Sequence, residues 1–305
     1  MTLHTVPGLL ALAAVGAALA AAGSAHAQQT DRWRSFASLT PLYQSSAGID
    51  GGGDFSTRGI LFRAGTIGPM SAQTTTGVTF SYDYTDYRFG TPTFTGVHAP
   101  WGEVERVGLS FPLVMRPRES WNIGVTPSVD SFREKGGDWN ESLSYGATFS
   151  VTRVFDQDRR LGLGVGVFER LEETRFFPYI SVDWPLTARL RVTNPLPAGP
   201  TGPAGLELRY RLDRGWETGV GAAYRSYRFR LANDNPSVRD GIGEEDAVPV
   251  FLRVSRTLGP NYAVDFYAGA LFGGRLRLED SNGNRTSERD FDPAGLFAVS
   301  LSARF

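Results

Sequence analysis

Arginines and carboxylates recurring at every second position are the chemistry this sequence offers. Arg209 and Arg211 interleave with Leu208, Tyr210 and Leu212, and the same spacing recurs along the second half of the chain. With the polar face of each such segment turned inward, Arg189, Arg191, Arg209, Arg211, Arg253, Arg275 and Arg277 share one interior with Asp183, Glu207, Asp265 and Glu279. Grouped guanidinium groups favour anions in a water-filled passage. The same groups, paired with the acids, would brace a wall and block it. Both readings stand at this point.

Other chemistry is thin. The chain has no Cys, so it has no thiolate nucleophile, disulfide frame or Cys-based zinc site. Of its three His, His4 and His26 fall in an apolar leader. That leaves His98, with Asp83 or Asp86 as acids that could orient it as a general base. No Gly-x-Ser-x-Gly elbow occurs. Glu279–Asn284 and the acidic stretch 240–246 offer oxygen ligands of the kind Ca²⁺ takes, but neither follows an EF-hand pattern. The glycine run 50–54 lacks the Lys and following helix of a phosphate loop. A non-enzyme without cofactor or metal is the expectation.

The elements that carry these residues are strands. Val78, Phe80, Tyr82 and Tyr84 alternate with Thr79, Ser81, Asp83 and Thr85, and Phe297, Val299, Leu301, Ala303 and Phe305 alternate with polar or small residues. No comparable 3.6-residue pattern occurs outside the leader, so the chain is all-β. The segments outrun the roughly 5–6 residues of soluble strands and match the roughly 9–11 that cross a bilayer. Connections alternate in length. Short ones fall at 68–72, 116–120, 156–159, 185–187, 213–215 and 259–261, and longer ones at 46–54, 90–102, 134–140, 194–204, 233–246 and 280–292. Only 171–173 breaks the rule. Short turns on one rim and long loops on the other belong to a transmembrane antiparallel up-and-down β-barrel rather than a soluble sandwich.

The expected strands are 32–45, 55–67, 73–88, 103–115, 121–133, 141–155, 160–170, 174–184, 188–193, 205–212, 216–231, 247–258, 262–279 and 293–305. That is about 14 strands; irregularity in the first two and the shortness of 188–193 keep 12 open. Alternation slips after Tyr224, as at a bulge or where a strand leaves the bilayer. No connection stands out as a long loop that folds in to constrict the lumen.

Both ends point to export. Residues 7–22 form an uncharged apolar run, and Ala25-His26-Ala27 follows as a small-x-small site. Residues 1–27 therefore read as a cleaved signal peptide, leaving 28–305 as the barrel. The end, Leu301, Ala303 and Phe305 at alternate places, is similar to the signal that bacterial barrel-assembly machinery recognises. The net charge of −1 argues against a nucleic-acid partner.

A wider resemblance rests on Pro41-Leu42-Tyr43, on Asp50 to Phe55, and on the run from Leu206 to Leu212 through Gly215-Trp216-Glu217 to Tyr224-Arg225. These resemble a family of proteobacterial outer-membrane β-barrels of unknown function. The resemblance implies fold and location, with no activity or site residues to carry over. The expected protein is thus a monomeric outer-membrane barrel of a Gram-negative bacterium, in contact with lipid and lipopolysaccharide. It would be a passive or weakly anion-leaning pore for small hydrophilic solutes, or else a structural or surface-interaction barrel whose lumen Arg–carboxylate pairs close.

Overall fold

The computed structural model describes residues 32–156, 159–202 and 204–305. The proposed signal peptide lies outside them. Seventeen strand segments form, and no helix occurs among the described residues. They are β1 (Arg34–Gly48), β2 (Asp54–Ser71), β3 (Thr74–Phe89), β4 (Glu103–Ser110), β5 (Leu113–Arg118) and β6 (Trp121–Glu134). Then come β7 (Leu143–Val154), β8 (Arg160–Arg170), β9 (Glu173–Pro185), β10 (Leu190–Thr193), β11 (Gly205–Arg211) and β12 (Trp216–Ala223). The last are β13 (Arg225–Arg230), β14 (Ile242–Leu258), β15 (Tyr262–Glu279), β16 (Arg285–Phe291) and β17 (Ala294–Arg304).

Neighbouring segments pair antiparallel, and β1 joins both β2 and β17, so the sheet closes on itself. β4 with β5, β12 with β13 and β16 with β17 are each one interrupted stave, which gives 14 staves. Closure satisfies the edge backbone groups that a bilayer cannot hydrate.

The interruptions have a local cause. Proline donates no ladder hydrogen bond. Pro112 separates β4 from β5 and Pro293 separates β16 from β17. Pro127 of β6 lies level with the first break, where its carbonyl accepts from the Phe111 N–H at 2.9 Å.

Side-chain alternation is inverted relative to a soluble protein. Val220, Leu252, Phe266, Phe297 and Leu301 are about half exposed, whereas Glu207 and Arg253 are 1% exposed. An apolar belt outside and charges inside is the arrangement lipid demands. Arginines lie over the rings of Trp121, Trp184 and Trp216 at the short-turn rim, at 5.1–5.8 Å. Such amphipathic rings mark a membrane–water boundary. The Phe305 N–H donates to the Ser35 carbonyl at 2.8 Å, tying the chain end to the first stave. Phe305 and Leu301 face outward, 67% and 52% exposed, with Ala303 half-buried between them.

Candidate functional site: a lumen crossed twice

The interior is not an open tube. Two chain segments cross it, and both correct the expectation that nothing folds in.

The first crossing is residues 194–202, between β10 and β11. The Thr40 hydroxyl of β1 donates to the Ala198 carbonyl at 2.8 Å, and Thr40 also bonds Ser300 of β17 at 2.8 Å. Gly199 packs so closely on Tyr267 of β15 that a Cβ there would lie 2.7 Å from the phenol oxygen. Read as an outer loop, this segment instead reaches the far wall at the level of β1 and β15.

The second crossing is the hairpin of β13 and the first part of β14. β12 pairs with β11 on one side and β14 on the other, but β11 has no residue beyond Gly205 to continue that wall. Past Tyr224, β13 keeps only β14 as an antiparallel partner, from Arg225↔Ala247 to Arg230↔Ile242. Its other edge turns inward and meets β6 at Arg230↔Arg133, across the ring. The slip after Tyr224 is therefore the point where half a stave leaves the wall.

The two faces of this hairpin differ. Tyr227, Phe229 and Leu231 project toward the β1–β6 side. Phe229 is fully buried, with ring centroids 5.3 Å from Trp101 and 5.5 Å from Phe132, and Phe55, Phe291 and Leu276 complete the cluster. An apolar core thus fills the long-loop end of the lumen. A buried polar group sits within it: Arg225 pairs with Glu245 at 2.6 Å, and the Tyr87 hydroxyl donates to the same carboxylate at 2.6 Å.

The opposite face is a cross-strand charge ladder. Arg228 of β13, Glu244 of β14, Arg277 of β15 and Glu288 of β16 are successive register partners. Their ion-pair distances are 2.9, 3.2 and 2.9 Å. Arg175 of β9 joins through Glu244 at 2.7 Å, and Arg228 also reaches Glu279 at 2.7 Å. Arg228 and Arg230 hold the β8–β9 turn, whose Leu171 and Glu172 both adopt positive φ: Arg228 donates to the Leu171 carbonyl at 2.8 Å, and Arg230 pairs with Glu172 at 2.9 Å.

The arginines and acids singled out above divide into three groups. Arg253 is the centre of the first, bonded to Glu207 at 2.7 Å, Glu217 at 2.6 Å and Asp265 at 3.0 Å; Arg209 also pairs with Glu207 at 3.1 Å. Arg191 pairs with Asp183 at 2.6 Å nearby. Arg189 and Arg211 form a second group, exposed at the short-turn rim, where Arg189 meets Asp213 at 3.3 Å. Arg275 and Arg277 form the third. The register slips at the Gly273–Gly274 step opposite Ala247, and Gly273 has φ +57°. This bulge reverses the alternation, so Leu276 and Leu278 face the core, and Arg275 and Arg277 join the charge ladder rather than the wall around Arg253.

A second wall network escaped the sequence reading. Arg63 of β2 bonds Asp83 of β3 in bidentate fashion, one arm at 3.0 Å; Arg106 of β4 reaches Asp83 at 3.8 Å and Asp130 of β6 at 3.3 Å. Its signal was present, one opposite charge on each of four successive strands. Asp83 is thereby committed and Asp86 pairs with Arg88 at 2.8 Å, so neither is brought to His98, whose side chain is exposed.

The loop acids are also engaged. Asp280 accepts from the Asn282 and Asn284 backbone N–H groups, each at 2.9 Å, and from the Asn284 side chain, whose bonds hold its carboxyl below the usual range. Among the described residues no group of three His, Asp or Glu side chains could hold a metal ion. The tip of the inward hairpin meets the β6–β7 connection through Asp240 and Glu141. Their hydrogen bond and mutual repulsion raise the Glu141 carboxyl above its ordinary value.

No family model matches the sequence, and no curated protein matches it significantly. The resemblance drawn from Pro41–Tyr43 and Leu206–Arg225 therefore rests on those motifs alone. Among solved structures, the COG4313 outer membrane channel of Pseudomonas putida F1 aligns at 10% identity and TM-score 0.49, over 92% of this chain and 97% of that one. The P. putida toluene transporter TodX aligns at 8% and 0.45, over 90% and 91%. The translocator domain of the autotransporter NalP from Neisseria meningitidis aligns at 11% and 0.39, over 95% and 94%. At such identities and scores no residue role carries across.

Proposed function

We propose that this chain is an outer-membrane channel for small hydrophilic solutes whose resting state is closed, with the β13–β14 hairpin as its gate. The observation that carries this reading is the half-stave that leaves the wall at Tyr224 and spans the lumen to β6. A purely structural barrel has no need to divert strand from its own wall. Away from the hairpin the inner wall carries Arg63, Asp83, Arg253 and Asp265 with their partners, charged groups suited to water and polar solutes once the lumen opens. The anion preference expected from the arginines is weakened, because Arg253 is surrounded by three carboxylates.

The paired arginines also support the second reading, a barrel closed for good. Planar-bilayer recording of the refolded protein separates the two. The wild type should be mostly silent with brief openings. Replacing residues 226–246 by a short Gly-Ser turn should give a steady conductance, with a reversal potential near zero in a KCl gradient. A folded variant that stays silent would overturn the channel and leave the structural barrel.

A further inference from the structure

On the outer face of the barrel, at the short-turn rim of β5–β9, arginine alternates with aromatic rings. Thr126, Thr152 and Ser181 are buried on the inner face. The pleat therefore turns Trp121 of β6, Arg153 of β7 and Trp184 of β9 outward. Arg118, Trp121, Arg153 and Leu161 are successive register partners across β5, β6, β7 and β8, so an arginine stands on each side of the indole. Arg153 lies over Trp121 at 5.8 Å and over Phe155 at 5.0 Å. The row continues from Phe155 to Trp184, ring centroids 5.4 Å apart, and ends with Arg159 over Trp184 at 5.5 Å.

These cations are open to the surroundings and short of acids. Arg118 and Arg153 are exposed, and among the described residues neither has a carboxylate within ion-pair distance. The described acids of this sector are Glu119, in the exposed β5–β6 turn, and Asp156, which Arg159 meets at 3.6 Å. Inside the barrel the balance is the reverse, with two carboxylates on Arg106 and three on Arg253. The indoles set the depth of the row at the membrane–water boundary, the level of the lipid headgroups. A phosphate there is the acceptor a guanidinium pairs with best. Arg118 and Arg153 start two strand spacings apart, about 10 Å, a gap that two such long side chains close on one phosphate.

We propose that this patch binds the headgroup of an anionic phospholipid, its phosphodiester shared by Arg118 and Arg153 across Trp121. The acyl chain then runs over Val151, Leu161 and Leu163, which are 43–69% exposed on the same outer face. Short turns face the periplasm in barrels of this kind, where the leaflet is phospholipid. Net charge selects the lipid. A zwitterionic head brings an ammonium that the arginines repel, and a phosphatidylglycerol head brings none. The site lies outside the barrel and does not depend on the lumen conducting, so it stands apart from the gated-channel reading.

The test is native mass spectrometry of the refolded protein in detergent, given equal amounts of phosphatidylglycerol and phosphatidylcholine with the same acyl chains. The wild type should retain phosphatidylglycerol in about tenfold preference, because two charge-assisted contacts face no competing ammonium. The double variant Arg118→Gln with Arg153→Gln should lose that preference. Arg34→Gln with Arg304→Gln, which removes the same charge from the β1–β17 side of the rim, should keep it. Equal retention of the two lipids by the wild type would overturn the proposal without recourse to any variant. So would an unchanged preference in the folded Arg118 and Arg153 variant. An equal loss in both double variants would also overturn it, since the attraction would then be one of total charge.

Discussion

Arg253 shows how much of this barrel rests on charge compensation. It is 1% exposed and meets Glu207, Glu217 and Asp265 at 2.6–3.0 Å. Removing one member of a buried pair leaves the other charge desolvated and uncompensated, at a cost of about 3–5 kcal/mol. Arg253→Met should therefore lower stability by that order in urea unfolding from lipid, and a loss under about 1 kcal/mol would mean that water already reaches the acids. Glu141 supplies a pH dependence. Its carboxyl titrates above the unfolded value, so its contribution is complete in acid and is lost as pH rises through the folded value. The protection factor at the hairpin tip, residues 233–240, which corrects exchange for its base-catalysed intrinsic rate, should fall across that rise in the wild type. In Glu141→Gln, which cannot ionise, it should show no such step; a step that persists would place the sensitivity elsewhere.

At the scale of elements, strand type and order were legible and strand fate was not. Period-two alternation marks a strand wherever one face is apolar, and it located all fourteen staves. It does not say whether a strand stays in the wall. That depends on whether a neighbour continues beside it, and β13 loses its neighbour because β11 begins only at Gly205. The slip after Tyr224 and the short β10 were the visible signs. Gly273 is the other case: one inserted residue reversed the faces of β15, so Arg275 and Arg277 could not be assigned by counting from Asp265. The hairpin's hold on the lumen rests on its apolar face. Phe229→Ala should cost about 3–5 kcal/mol, as for buried aromatic truncation in a packed core. The same variant should open more often in bilayer recordings. A loss of stability with no added openings would make Phe229 a packing residue only.

For the whole molecule, the outer belt and the inner charges follow from one requirement, that lipid takes apolar side chains and satisfied backbone. The sequence carried that requirement plainly, and the architecture with it. What fills the lumen came from pairings between residues far apart in the chain, such as Phe229 with Trp101 and Thr40 with Ala198, which no local pattern announces. The most direct test of the closed lumen uses the absence of cysteine from the chain. Ser226→Cys places a thiol on the inward hairpin at a site 5% exposed, and Asp234→Cys places one at the exposed tip. With the protein in a bilayer and a membrane-impermeant maleimide outside, Cys at 234 should label rapidly, and Cys at 226 should be protected until the barrel is unfolded. Equal labelling at both positions would contradict a hairpin folded into the lumen.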